Sequence, residues 1–328
     1  MSASHPYRSI PLPRDASFGL KPSPGKGWGA FATKRIDRGS MILSEDPLFV
    51  IRKATPDITE IDIAAAHLKL STRQKAQFSL LRDNGSKFFT SLRNAMAQNS
   101  FDISDGSPAN GLFLVHSRFN HSCLPNSQVP AFHGETIRLY ATKDIQAGEE
   151  ISISYLDFKG HTRNERQKLM DFACDCKACL PGTPFQQLSD LRRRLIRGLH
   201  CLRRGKDLWN GRVQSPDSPI IVDAKLKTAA ENFKIPLSSR LVCCLLTIVL
   251  LEEEGVLDDF EVEMMGINVT MTANMFRSEY NQRVVMLAMA QNTWLERLQG
   301  VFGLYGRRDL ADDDSTQMLQ LLSRTLSG

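Results

Sequence analysis

Three thiols within six residues, Cys174, Cys176 and Cys179 in the stretch CDCKAC, are the densest chemical signal in this 328-residue chain. Side-chain packing does not call for such a cluster, whereas a thiophilic metal does. Zinc takes four ligands in a tetrahedron with Zn–S near ~2.3 Å. The loop supplies three, so a fourth ligand must come from elsewhere in the fold. A second dense stretch, residues 117–126 (SRFNHSCLPN), sets hydrogen-bonding side chains and the thiol of Cys123 into otherwise apolar sequence. Turn chemistry alone accounts for its Asn and Pro, and no G-x-S-x-G elbow accompanies it to make a nucleophile. Residues 26–31 (KGWGAF) put Gly27 and Gly29 around Trp28, a turn in which backbone can approach a ligand closely. They lack the full G-x-G-x-x-G of a dinucleotide site. Lastly, Tyr155 closes the stretch GEEISISY on the same strand face as Ile151 and Ile153.

Three zones of sequence must position these groups. Up to about residue 100, strand-like runs such as 41–51 give way to helical ones. Ser71 reads as the N-cap of a helix carrying Ala76, Phe78, Leu80 and Leu81, with Asn84-Gly85 as its stop. Residues 111–158 read as β-hairpins: Ile137, Leu139 and Ala141 alternate with polar neighbours, as do Ile151, Ile153 and Tyr155 after a turn at Ala147-Gly148. From residue 187 the pattern is helical. Leu188, Leu191, Leu195, Leu199 and Leu202 recur every three or four residues. Further helices are expected at 224–233, 238–254, 279–302 and 316–326, with Pro-rich breaks between them.

These four segments, in this order, resemble the SET-domain methyltransferases, most closely their SMYD-type branch, over residues 17–180. The resemblance implies an α+β fold. It consists of a flexible N-terminus (1–16), a SET β-fold (17–158) with a helical insert at about 56–100, a zinc-binding post-SET loop (159–182) and an all-α C-terminal domain (183–328). It implies that S-adenosylmethionine is held by Lys26, Gly27, Trp28 and Gly29, by Asn99, Asn120 and His121, and by Tyr155, with Phe172 stacked on the adenine. Tyr155 becomes the catalytic residue. Cys123, Cys174, Cys176 and Cys179 become the ligands of one structural zinc. The implied reaction is methyl transfer to the ε-amine of a lysine in a protein, histone or not.

The sequence departs from that branch twice. Residues 52–110 contain no cysteine, so the MYND zinc module is expected to be absent. Met170 stands where relatives carry a tyrosine that lines the lysine channel, and a thioether cannot donate that hydrogen bond. Two rival readings follow: a SET fold turned to a non-protein substrate, or a module that only binds a partner.

Bulk properties restrict the function classes further. The net charge of +5, from 41 basic and 36 acidic residues, is too dilute for a nucleic-acid stripe. The basic run at 192–206 and the acidic run at 252–263 read as solvated faces. The longest apolar run, 241–251, is too short to span a bilayer, and residues 1–14 lack a signal-peptide core. Seven cysteines, an odd number, argue against a disulfide framework and for a reducing compartment, nuclear or cytoplasmic. A monomer acting on a lysine-bearing protein or peptide is expected.

Overall fold

The computed structural model describes residues 5–83, 87–103, 106–130 and 134–204, then Thr247, Leu250, Leu251 and 254–257. It divides into two compact units, residues 1–155 and 156–328. The helices expected at 224–233, 279–302 and 316–326 and the stop at Asn84-Gly85 lie outside the described residues.

The first unit is built from three small sheets. The strands are β1 (Phe18–Ser23), β2 (Gly27–Ala32), β3 (Met41–Glu45), β4 (Phe49–Ile51), β5 (Ser100–Asp102), β6 (Asn110–Leu112), β7 (Asn120–His121), β8 (Ser127–Gln128), β9 (Ile137–Ala141) and β10 (Glu150–Ile153). Their orders are β1-β2-β10-β7, β3-β9-β8 and β4-β6-β5. Alternation decides which faces are buried. Ile137, Leu139 and Ala141 point into the core from β9, and Ile151 and Ile153 from β10. All but Ile137 join Leu112, Leu114 and Phe119 in one apolar cluster, while Ile137 packs with Ile103, Ala109 and Phe113 in a second.

One expectation changes here. Residues 111–158 do not form only hairpins, because β10 pairs with β7 in parallel, Ser152 opposite Asn120 and Ile153 opposite His121. A parallel neighbour cannot come from a tight turn. The intervening chain instead makes β8 and β9 in another sheet before returning.

Between β4 and β5 lie three helices: α1 (Glu60–Leu68), α2 (Thr72–Phe78) and α3 (Leu92–Asn99). Thr59 with Asp62 and Ser71 with Gln74 form capping boxes, so α2 starts at the N-cap the sequence indicates. It ends at Phe78, before Leu80. Within the N-terminal stretch expected to be flexible, the described residues 5–16 take Tyr7 and Ile10 into the core through a short 3₁₀ turn, Pro6–Ser9.

The second unit contains α4 (Arg163–Leu169) and α5 (Pro184–Arg204). Thr247, Leu250, Leu251 and Glu254 are helical and buried, inside the helix expected at 238–254. Among the described side chains of α5, Ser189, Arg193 and Ile196 are buried, while Leu188 is exposed. Arg193 corrects the solvated-face reading: it is buried, with Nε on Glu254 Oε1 at 2.9 Å and Nη1 on the Phe158 carbonyl at 2.6 Å. Glu254 is buried too, so that part of the acidic run is interior as well. Among the described residues, no helix is long and apolar enough to cross a membrane.

Candidate active site

The four-stranded sheet brings three of the sequence signals together. Gly27-Trp28-Gly29 is not the turn the sequence suggested: residues 24–26 make the turn and the three open strand β2, paired with β1. Strand β10 lies on the other side of β2, and β7 presents Asn120 and His121 on the far side of β10. Gly27 has φ of +79°, a left-handed conformation that favours glycine. Gly29 is required for a different reason. A Cβ there would lie 2.7 Å from Asn120 Nδ2 and closer still to Glu150 Oε1. The missing side chain therefore lets Asn120 and Glu150 close over the strand.

Asn120 donates from Nδ2 to the Trp28 carbonyl at 3.2 Å and to Glu150 Oε1 at 2.7 Å. Those two bonds use both amide hydrogens, leaving Oδ1 as the acceptor for an incoming donor. Lys26 sits over the same carboxylate, its Nζ 3.5 Å from Glu150 Oε2. Trp28 is held from the N-terminal side: His5 stacks on it at 4.4 Å, and Tyr7 meets it edge-on at 6.1 Å.

His121 is held from both ends. Its Nδ1 accepts from the Tyr155 backbone N–H at 3.1 Å, and its Nε2 lies 3.3 Å from Cys123 Sγ. A neutral imidazole that accepts at Nδ1 carries its proton on Nε2, so that proton points at the sulfur. Tyr155 does not extend the buried face of β10 as the alternation suggested. The strand stops at Ile153, and the Tyr155 ring is 46% exposed. Its hydroxyl donates to the Phe119 carbonyl at 3.2 Å. Burial of that end raises the phenol above its usual range, with Arg118 pulling the other way, so the group stays protonated at neutral pH.

Asn99 closes α3 and is fully buried. Its Nδ2 donates to Ala95 O at 2.8 Å, and its Oδ1 accepts from Arg118. Three residues of this region stand outside the sequence reading of the site. Tyr7 bonds through its hydroxyl to both N and O of Arg82, at 2.9 and 2.7 Å. Glu45 accepts three backbone N–H bonds, from Leu114, Val115 and His116, at 2.6–2.9 Å. Arg118 is buried beside them. No local pattern flags such residues; an Arg inside an apolar run was the one available hint.

In the second unit Cys174, Cys176 and Cys179 are free thiols whose sulfurs lie within 4.8 Å of one another. A tetrahedral zinc–thiolate site needs sulfurs about 3.8 Å apart, from its Zn–S length. The loop is braced for it. Buried Arg166 donates to the Ala178 carbonyl at 2.7 Å and to Cys179 Sγ at 3.4 Å, and Arg163 Nε donates to the Cys179 carbonyl at 2.8 Å. N–H donors on the sulfurs favour the thiolates that metal binding requires. Phe172 is exposed two residues before this loop, and Met170 is the half-buried C-cap of α4.

Comparison with known proteins agrees with this arrangement. The SET domain family model matches residues 27–156. Over 188 residues, 55% of this chain, the sequence is 32% identical to histone-lysine N-methyltransferase set5 of Schizosaccharomyces pombe, covering 56% of that protein. A shorter stretch, 21% of the chain, is 42% identical to protein-lysine N-trimethyltransferase SMYD5 of Gallus gallus and to histone-lysine N-methyltransferase SMYD3 of Homo sapiens. It spans 18% and 17% of those proteins, so the chain matches about half the length of one relative and under a fifth of the others. Residues 27–156 thus match the SET domain, and the mixed α+β chain that carries them is similar to set5 and to SMYD-type lysine methyltransferases over the stretches given.

Proposed function

We propose that this chain transfers a methyl group from S-adenosylmethionine to the ε-amine of a lysine in a protein, histone or non-histone. The observation that carries the reading is the position of Tyr155. Its hydroxyl is fixed on the Phe119 carbonyl, directly before Asn120 and His121 of β7, in the sheet whose strand β2 carries Gly27-Trp28-Gly29.

Bound cofactor supplies an electrophilic sulfonium methyl, and the attacking lysine amine must be neutral. The residues of the chain supply placement. Asn120 Oδ1 and the backbone around Gly27 and Gly29 face the amino-acid end, and Lys26 and Trp28 flank it. Phe172 is proposed to stack on the adenine. With both ring nitrogens engaged, His121 acts by locking Tyr155 onto β7 rather than through a free imidazole edge. Tyr155 is a poor base, because its phenol is raised. Its task is to orient the amine, and misplacing reacting atoms by about 1 Å costs on the order of 100-fold in rate.

One structural zinc belongs to the same reading. Cys123, Cys174, Cys176 and Cys179 are its proposed ligands, and four thiolates leave zinc no open position for catalysis. Residues 183–328 are proposed to form a helical domain, of which α5 is the first part. The free thiols fit a reducing compartment, nuclear or cytoplasmic.

The test is label transfer from methyl-labelled S-adenosylmethionine in a methyl-poor lysate, with protein and small-molecule fractions separated. Tyr155→Phe is expected to keep its cofactor affinity within about twofold while losing on the order of 100-fold in turnover, near ~2.7 kcal/mol of barrier. Tyr155-dependent label recovered as methyl-lysine supports the reading. Label confined to small molecules would mean that Met170, in place of a channel tyrosine, marks a fold turned to another substrate. Equal turnover in Tyr155→Phe would remove Tyr155 from the chemistry.

A further inference from the structure

A buried guanidinium with no carboxylate bonded to it sits beside residues assigned to the cofactor. Arg118 is 8% exposed, two residues before Asn120. Its Nη2 donates to Asn99 Oδ1 and, at 2.9 Å, to Ser117 Oγ. One face lies on the Tyr7 ring, 4.4 Å from the centroid. Its Nε–H has no hydrogen-bond partner among the described residues. Arginine holds its charge even when buried, and a buried cation is costly unless an anion answers it.

Among the described residues, no carboxylate is hydrogen-bonded to this guanidinium. Glu45 contributes to the field at Arg118. Its oxygens, however, face the N–H groups of Leu114, Val115 and His116 and not the guanidinium. Glu150 faces Lys26 and Asn120 instead. Tyr7 and Tyr155, the other titratable groups near it, are phenols. Tyr7 is fixed to Arg82, which holds its ring as a platform under the guanidinium.

S-adenosylmethionine carries one anionic group, the carboxylate of its amino-acid end. We infer that Arg118, fixed by Asn99 and the Tyr7 ring, is the cation that receives this carboxylate. The inference rests on the methyl-transfer reading above and deepens it. Asn99 then acts at second hand: its amide is taken up by Ala95 and Arg118, and its effect on the cofactor passes through the guanidinium. The same geometry gives the N-terminal segment a role, since Tyr7 touches both Arg118 and Trp28.

The experiment is a binding cycle on the full chain. S-adenosylhomocysteine and its decarboxylated analogue are titrated into wild type, Arg118→Met and Arg118→Lys, with thermal midpoints measured alongside. Wild type is expected to prefer the carboxylate-bearing ligand. Arg118→Met should lose about tenfold to 100-fold in affinity for it, the scale of one buried charge-assisted contact, and about twofold or less for the analogue. Arg118→Lys keeps the charge, fills a similar volume and should retain an intermediate preference; it serves if the methionine variant does not fold. Equal losses for both ligands in the folded variants, or an unchanged preference, would overturn the assignment and make Arg118 a structural residue. A wild type that binds neither ligand would overturn the methyl-transfer reading itself and this assignment with it.

Discussion

Residue type and spacing reveal chemistry that is local in the chain, and they hide chemistry assembled across it. The CDCKAC loop and the run Asn120–Cys123 are short enough to be recognised by composition, and Tyr155 follows them at a legible distance. Arg193 and Glu254 show the opposite case. Each lies in a charged run that reads as solvent-facing, yet the two meet at 2.9 Å with 1% and 0% of their side chains exposed. Ser189 and Arg192 complete the contact to Glu254. Burial of both partners makes the pair asymmetric under mutation. Glu254→Gln leaves the guanidinium of Arg193 without its counter-charge and is expected to cost about 3–5 kcal/mol, read by denaturant unfolding. Replacing the two together, Arg193→Met with Glu254→Leu, should cost much less. Similar losses in the single and double variants would show that the pair contributes nothing specific. Sequence alone cannot separate a charge on the outside of a helix from one matched across 61 positions, because the matching is a property of the tertiary contact.

Among the elements, the start of a helix is easier to read than its stop. Ser71 is an N-cap because its hydroxyl accepts from Gln74 N, a relationship contained in four residues. The end of α2 depends on where the core stops, which the local pattern does not contain. The parallel pairing of β7 with β10 was missed for the same reason: alternation identifies a strand but is silent about its neighbour. The box at α1 makes a sharper prediction. Asp62 accepts from Thr59 and from Lys53 Nζ at 2.8 Å, the Lys53 bond first in importance, and its carboxyl is lowered from 3.8 to about 2. A depressed folded pKa means that the stabilisation is fully present above about pH 4 and is lost as pH falls through about 2. Wild type should therefore lose more thermal midpoint between those values than Asp62→Asn does. A parallel decline in the two proteins would dissociate the cap from acid sensitivity.

For the whole molecule, the SET domain is legible because its signals keep their order along the chain, while their convergence is not. Residues 26–31, 99, 118–121 and 150–155 meet only after three separate sheets have formed. The metal question belongs to this scale as well, since the thiols come from positions 123 and 174–179. Metal analysis of purified protein is expected to give one zinc per chain, and Cys123→Ser should lower that occupancy. Full occupancy in Cys123→Ser would place the fourth ligand elsewhere.

The contact between His5 and Trp28 has an optical consequence. A protonated imidazole quenches indole emission by accepting an electron from the excited ring, whereas a neutral one does so weakly. Stacked at 4.4 Å and 22°, the pair is a natural donor and quencher. Burial of His5, reinforced by Arg82, Arg118 and Arg8, holds its pKa below 6.5. In a chain whose Trp209 and Trp294 are replaced by phenylalanine, the remaining fluorescence should stay bright through pH 6.5 and dim only in more acid solution. A midpoint at or above 6.5 would mean that the imidazole is not seated on the ring. Trp28 would thus act as a lamp at the start of strand β2, reporting without any added dye whether His5 is in place.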